Sequence, residues 1–470
     1  MRPLDRPFRI EFAGDLDSQR GELLSGRDFR LDTDAPHRFF IGDPSPRCTD
    51  LLRVGMAVYL VDRIVRRGRD RRRPWRRNLK VRVEVLDRDF WSSPPVSDAL
   101  HEAVEFVTGD FWDFEFFGQP STCQWSSPLF AQAFAAESPL ICLYSGGLDS
   151  ASGLGLHIRD CPERIVIPVT VKHQPRQNTL IESQYRLLRD RHRATIEPLV
   201  VKSARIRSVG SSWGKEEPSQ RGRSFLFAAA GAVAASMSGV TDVEVFESGI
   251  GAINVPLLAG MVGSRATRGC HPEFFRLMSC LASLVAGREI AYRLPFLDRT
   301  KGEMVRAIND AGLADLALST ISCARYPVGL RRYESCGVCP ACLFRRQAMI
   351  VGGIEEPSGT YTIDLFGRSD RVNAVKTERL AYLKAYLMQA ADWAQVESTG
   401  RLPDSVERHL RHTRILKPGE SSERFSILLC RYRDEWLKIA EEGRKRGYRW
   451  ARLLAPAQSP MDQGVSHAIA

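Results

Sequence analysis

No stretch of this 470-residue chain is apolar for long enough to cross a bilayer. The longest, Phe225 to Val240, is mostly Ala and Gly with Ser236 and Ser238 inside it, short of the roughly 20 residues a spanning helix needs. It reads as a core helix, and no membrane partner is expected. The opening residues, Met1-Arg-Pro-Leu-Asp-Arg-Pro, lack the apolar core of a secretory signal, so a reducing, cytoplasmic setting is expected. Internal repeats and low-complexity tracts are also missing. What is there, 43% hydrophobic and 26% charged residues, excludes a disulfide-stapled peptide or a disordered tail and allows roughly two to four domains. The net charge of +11 comes from 67 Lys+Arg against 56 Asp+Glu. Most of these cations are Arg, which suits phosphate or carboxylate. Nucleic acid is thereby permitted as a partner without being favoured.

In a reducing setting the 11 cysteines are candidates for metal binding rather than disulfides. Four stand together: Cys323, then Cys336, Cys339 and Cys342. Four thiolates close a tetrahedral zinc site, and two-residue spacers with Gly337 and Pro340 supply the tight turns. A ferredoxin-type cluster would continue with a fourth Cys where this chain has Arg346, so a structural Zn2+ is expected. The other seven (Cys48, Cys123, Cys142, Cys161, Cys270, Cys280 and Cys430) read as small buried apolar residues.

Residues 1–135 read as an N-terminal α+β domain and a possible docking unit for a partner. Asp50 to Val65 has helical spacing, whereas Val81, Val83 and Val85 alternate as in a half-buried strand, as do Trp112, Phe114 and Phe116. The Arg run 66–77 between them reads as a solvated loop in preference to a phosphate patch. From Leu140 the pattern changes. Short apolar runs at 140–144, 165–171, 199–202, 243–247 and 289–294 alternate with helices predicted over 179–191, 223–237, 272–285 and 300–311. This implies an α/β fold, a doubly wound parallel sheet over 136–350 whose ligands bind at the carboxyl ends of the strands, with the four-cysteine zinc cluster at 323–342 as an appendix. A C-terminal helical region is expected over 360–455, chiefly Val375 to Trp393 and Phe425 to Arg446, and a disordered tail from Pro456.

The first strand ends at Tyr144 and turns through Ser145-Gly146-Gly147-Leu148-Asp149-Ser150 into a helix. Two glycines let backbone N–H groups turn inward, and the helix N-terminus adds its dipole, so the loop suits phosphate or pyrophosphate. It is not a Walker loop, because no Lys follows the glycines, and it does not match a dinucleotide fingerprint. The alternative is that Gly-Gly only makes a tight turn and Asp149 caps the helix.

The string Ser-Gly-Gly-Leu-Asp-Ser resembles the PP-loop of the ATP pyrophosphatases. With the four cysteines it resembles the QueC family, the 7-cyano-7-deazaguanine (preQ0) synthases, over about Leu140 to Ile350. Arg221-Gly-Arg-Ser, Cys270-His-Pro-Glu and Thr300-Lys-Gly-Glu are similar to further family segments. Ser224, Gly269 and His271 depart from the family's Asn, Asp and Arg. The surplus residues on both sides give a layout similar to the enlarged QueC-like proteins of bacterial anti-phage systems, such as QatC of Qat and the QueC-like component of type IV CBASS.

The resemblance implies a Rossmann-like PP-loop fold and an AMP-forming C–N ligase. It would use ATP and Mg2+ to adenylate a carboxylate such as 7-carboxy-7-deazaguanine, then join it to ammonia, giving preQ0, or to an amine of a partner protein from the same operon. The site residues implied are Ser145, Gly146, Gly147, Leu148, Asp149 and Ser150 for ATP, with Asp149, Lys301 and Arg223 catalytic. Glu247, His173 and Gln174 are further candidates. The competing readings are a PP-loop tRNA-modifying enzyme that adenylates a base, and a non-catalytic ATP-binding scaffold.

Overall fold

The computed structural model describes residues 9–14, 22–24, 29–67, 75–118, 138–172, 175–205, 217, 219–257, 268–324, 335–366, 380–393, 396, 401–448 and 450–451. The N-terminal residues build a small sheet in the order β2-β1-β4-β5. Here β1 (Ile10–Gly14) lies antiparallel between β2 (Glu22–Leu24) and β4 (Asn78–Glu84), and β4 runs parallel to β5 (Phe111–Phe117). The predicted alternation is present: Leu79, Val81 and Val83 point into the core, as do Trp112 and Phe116. Strand β3 (Phe29–Leu31) leaves this sheet and pairs antiparallel with a strand of the larger one.

Helices α1 (Ala35–Phe40), α2 (Pro46–Ile64), α3 (Arg88–Trp91) and α4 (Pro94–Thr108) complete the region. Helix α2 is buried on nearly every face. Its charges are therefore paired inside. Asp62 and Asp110 are fully buried and hold Arg67 and Arg77, and the Asp62 carboxylate also accepts from the backbone N–H of Gly222 at 2.8 Å. Trp75 lies against the Arg67 and Arg221 guanidiniums. Two arginines of the run expected as a solvated loop, Arg67 and Arg77, are thus part of a desolvated ion-pair network, while Arg76 is exposed. The rest of the run, 68–74, lies outside the described residues.

The larger sheet contains every apolar run predicted after Leu140. Strands β6 (Leu140–Leu143), β7 (Val166–Lys172), β8 (Leu199–Arg205), β9 (Asp242–Val245) and β10 (Ala291–Arg293) pair in parallel in the order β10-β9-β6-β7-β8, and β3 closes the β8 edge. The connecting helices are α5 (Leu148–Asp160), α6 (Pro175–His192), α7 (Arg223–Ser238), α8 (Gly249–Ile253) and α9 (Pro272–Ala286). The apolar stretch 225–240 is the buried helix α7, and among the described residues no helix is long and apolar enough to cross a membrane. Ile141 and Leu143 point into a core shared with α7, while Leu140, Cys142 and Tyr144 point to the face covered by α5 and α6. A strand buried on both faces needs no polar alternation, which explains its continuous apolar run. The first of these cores crosses residue 135 without a break: Val54, Val58 and Leu60 of α2 belong to the same cluster as Ile141, Leu226 and Val233.

After β10 come α10 (Lys301–Asp310), α11 (Ala314–Leu318), α12 (Pro340–Val351), α13 (Ala381–Asp392), α14 (Asp404–His412) and α15 (Glu423–Lys445). The last three form the expected helical region around Trp436, which stacks on Tyr386 with ring centroids 4.6 Å apart. The first part of the helix predicted from Val375, and the tail from Pro456, lie outside the described residues. The cysteine segment is no outlying appendix. Helix α12 supplies Ala348 and Met349 to the core on the α5 face of the sheet and Leu343 to the core of the C-terminal helices.

Candidate functional site

Strand order reverses at β6, which has β7 on one side and β9 on the other. Connections leave in opposite directions there, so a crevice opens at the carboxyl end of β6. The Ser145–Ser150 loop fills this position. Gly146 has φ +74°, and a Cβ on it would lie 2.7 Å from Ile181 Cγ1, so glycine is required on both backbone and steric grounds. Gly147 is the N-cap of α5 and offers no side-chain cap. The first N–H groups of α5 therefore lack the usual capping oxygen, as in an anion-binding helix start. The Ser145 and Ser150 hydroxyls lie 3.2 Å apart, and Ser145 Oγ accepts from the Gly147 N–H at 3.3 Å. Asp149 is in the first turn of the helix rather than at its cap.

Two partners distant in sequence hold the Asp149 carboxylate. One oxygen accepts from the Ser248 backbone N–H at 3.3 Å and the other from the Lys301 ammonium. Both side chains of this pair are nearly buried, with 11% and 10% exposure. Lys301 is the first residue of α10, where a reciprocal capping box between Thr300 and Glu303 secures the turn. A cation at a helix N-terminus opposes the dipole, so its position is held by the carboxylates around it. Burial alone would lower its pKa; Asp149 and then Glu247 more than offset this and raise it.

Glu247, just past the end of β9, completes the group. Burial, then the neighbouring Asp149 charge, push its carboxyl up to about 8, against the pull of the Lys301 ammonium and the neighbouring Cys270 thiol. Burial also raises the Cys270 thiol well above its usual value. The site thus brings together three residues singled out in the sequence, Asp149, Lys301 and Glu247, with Cys270, which the sequence reading assigned to inert packing. Its position before the Pro-Glu pair that starts α9 was the available signal. Phe344 was also missed: its ring centroid lies 4.6 Å from Lys301 Nζ. Arg223 is exposed on the first turn of α7, and no hydrogen bond or ion pair joins its side chain to this group among the described residues. His173 and Gln174 lie outside the described residues.

Two of the departures from the family pattern touch each other, since a Cβ on Gly269 would lie 2.1 Å from Ser224 Oγ. The third, His271, caps α9 by accepting from the Glu273 N–H at 3.1 Å. Its pKa is pushed down to about 3 by burial and then by nearby Arg268. It is a neutral structural acceptor.

The four Sγ atoms of Cys323, Cys336, Cys339 and Cys342 lie within 4.8 Å of one another, and those of Cys336 and Cys342 are 3.8 Å apart. A tetrahedron with zinc–sulfur bonds of about 2.3 Å has edges of about 3.8 Å, so the donor set fits one metal ion with no open position. Gly337 makes the turn with φ +77°, and Cys339 caps α12. Arg346, at the place of a ferredoxin's fourth cysteine, pairs with Glu356 at 2.8 Å. The remaining described cysteines vary: Cys48 and Cys142 are buried as expected, Cys161 and Cys430 are half-buried, and Cys280 is exposed. Cys123 lies outside the described residues.

Residues 264–351 match the family model of the queuosine biosynthesis protein QueC. This segment contains Cys270, Lys301 and all four clustered cysteines. The chain is QueC-related over this segment. It is 37% identical over 93 residues to the 7-cyano-7-deazaguanine synthase of Methylobacillus flagellatus, covering 19% of this chain and 38% of the relative. It is 34% identical over 94 residues to the proteins of that name from Cupriavidus taiwanensis and an Anaeromyxobacter species, covering 19% of this chain and 39% and 38% of those relatives. The chain thus matches well under half the length of these relatives. The Ser145–Ser150 loop lies before the segment matched by the QueC model.

Proposed function

We propose that this chain is an ATP-dependent, AMP-forming C–N ligase that activates a carboxylate. The observation that carries the reading is a glycine loop and open helix N-terminus at the strand-order reversal, with the buried Asp149–Lys301 pair directly behind it. A carboxylate oxygen attacks the α-phosphorus of ATP, the bond to the β-phosphate oxygen breaks, and pyrophosphate leaves. An amine nitrogen then attacks the acyl carbon and AMP leaves. The Gly146–Gly147 backbone and the first turn of α5 receive the charge that builds on pyrophosphate, using donors already oriented. Lys301 holds the incoming carboxylate or the α-phosphate. Asp149 and Glu247 are the residues that would hold Mg2+, whose charge would neutralise phosphate oxygens and favour the ionised form of Glu247. The four cysteines would hold Zn2+ as a structural clamp.

The QueC-related segment supports 7-carboxy-7-deazaguanine as the carboxylate. The acceptor is ammonia, giving a primary amide that a second, ATP-dependent loss of water would convert to the nitrile preQ0, or an amine of a partner protein, giving an amide and AMP in the one step; the large flanking regions favour the second. A role in anti-phage defence, of Qat or type IV CBASS type, follows from that layout and belongs to the same proposal. The test is incubation with ATP, Mg2+ and 7-carboxy-7-deazaguanine, following AMP and pyrophosphate, with Asp149→Ala as the control. Release by the wild type and not by the variant supports the reading. Equal release by both removes it.

A further inference from the structure

Four arginine side chains converge on the C-terminal end of α4. Arg67 and Arg221 donate to the Thr108 carbonyl at 3.1 and 3.2 Å, Arg76 to the Gly109 carbonyl at 2.9 Å, and Arg268 to the Phe106 carbonyl at 3.3 Å. They come from the segment between α2 and β4, the turn before α7 and the segment before α9. A helix C-terminus carries only about half a negative charge, so it offsets part of one guanidinium and not four. The carboxylates at this point are already committed. Asp62 and Asp110 hold Arg67 and Arg77, and Glu217 accepts from the Arg67 and Ser219 backbone N–H groups at 3.1 and 3.3 Å. Among the described residues no carboxylate pairs with Arg76 or Arg268, whose hydrogen bonds go to the helix carbonyls. The excess positive charge acts on the arginines themselves. Burial and then Arg67 push the Arg221 pKa down to about 10 against the pull of Asp62 and Asp110, and burial and then Arg76 lower that of Arg268.

Each of the four guanidiniums also lies against an aromatic ring. Arg76 is 3.9 Å from the Phe111 centroid, Arg268 is 4.9 Å from that of Phe106, and Arg67 and Arg221 are 4.6 and 4.7 Å from that of Trp75. Such contacts hold the planar forks in fixed orientations, ready for phosphate oxygens. The rings are not sealed in the core: Phe111, at the start of β5, is 47% exposed, and Trp75 and Phe106 are half-buried. Fixed guanidiniums beside accessible rings supply the two parts of a single-strand site, one for the backbone phosphates and one for stacked bases. An acidic peptide would use the charges and leave the rings idle. A duplex keeps its bases stacked on one another and away from the rings.

We propose that this end of α4 binds single-stranded nucleic acid, with Arg76 and Arg268 on its phosphates and a base stacked on Phe111. Single-stranded RNA and DNA offer the same two features. The site does not depend on the ligase reading. Apart from Arg268, its residues lie outside the QueC-matched segment, so it belongs to what this chain adds to that segment. It is also close to the charged group, because Arg268 stands two residues before Cys270, the neighbour of Glu247.

The test is fluorescence anisotropy of labelled oligo(U), oligo(dT), a DNA duplex of the same length and oligo-glutamate, each titrated with the full chain between about 50 and 200 mM salt. At least one single strand binds the wild type, more tightly than the duplex or oligo-glutamate, and its affinity falls with salt. The double variant Arg76→Gln/Arg268→Gln weakens that strand by about tenfold or more at the lowest salt. It also reduces the slope of log affinity against log salt by about 1.4, the share of two phosphate contacts on a single strand. Phe111→Ala, at an exposed position, weakens binding by about fivefold or more and leaves the slope unchanged, as loss of one stacked base requires. Circular dichroism and retained zinc check that the variants fold; if the double variant does not, Phe111→Ala carries the test. The assignment is overturned if neither single strand binds, if the folded variants bind like the wild type, if the duplex binds as tightly as the single strands, or if oligo-glutamate binds as tightly and with the same dependence on the variants.

Discussion

Lys301 occupies the end of a helix where a cation is least stable, and it is buried there with Asp149 as its partner. Lys301→Met is expected to lower pyrophosphate release by about 100-fold or more, the scale for loss of one preorganised charge stabiliser. Because it strands a buried carboxylate, it also costs about 3 kcal/mol in stability. Adding Asp149→Asn restores part of that stability, read by urea denaturation, and none of the activity. An active double variant would remove the catalytic assignment. Glu435 of α15 gives a pH test that is independent of catalysis. It accepts from the Thr300 hydroxyl and from Gln347 Nε2 at 2.5 Å, and burial pushes its carboxyl from 4.5 up to about 7. The folded chain therefore keeps a proton that the unfolded chain has lost. The resulting stabilisation is full below pH 4.5 and is lost as pH rises through 7. Between pH 5 and 8 the wild type should lose up to about 3 kcal/mol relative to Glu435→Gln, measured by urea titration at each pH; parallel pH profiles would contradict this. Asp149 and Lys301 were each legible as unusual in the sequence. Their pairing was not, because 152 positions separate them and only the sheet brings them together.

The loop and helix at the end of β6 were the most legible element, since glycine at a positive φ and a helix start without a capping side chain are local properties. Gly146→Ala forces a methyl group against Ile181, and a side chain at φ +74° adds strain. It is expected to abolish pyrophosphate release while the cysteine cluster stays loaded, as checked by metal analysis of the purified variant. Helix α12 was legible only in part. The cysteine spacing foretold a closed donor set, but the cluster was read as an appendix to the sheet with no helix after it, whereas α12 stands between the sheet and the C-terminal helices. Cys336→Ser should release about one equivalent of zinc and lower the melting temperature, because metal binding to such a set is folding free energy. A variant that keeps its zinc would show that the remaining three thiolates suffice.

At the scale of the whole molecule the N-terminal residues share the core of the sheet. Helix α2 lies so close to α7 that a Cβ on Gly55 would meet Leu226 at 3.1 Å, β3 pairs along the β8 edge, and Asp62 holds the turn that starts α7. A fragment beginning at residue 138 would bare the α7 face and the β8 edge together. It is expected to aggregate or to lose fixed packing, judged by size-exclusion chromatography and near-ultraviolet circular dichroism; a monodisperse, folded fragment would show the N-terminal residues to be dispensable. The element types, the glycine loop and the four-cysteine set were decided within short stretches of sequence, because they depend on periodicity, turn chemistry and donor spacing. The Arg67 and Arg77 ion pairs and the grouping of Asp149, Lys301 and Glu247 were decided only by tertiary structure. Each depends on which distant surfaces lose water together, and that is set by the packing of helices on the sheet rather than by any local run of residues.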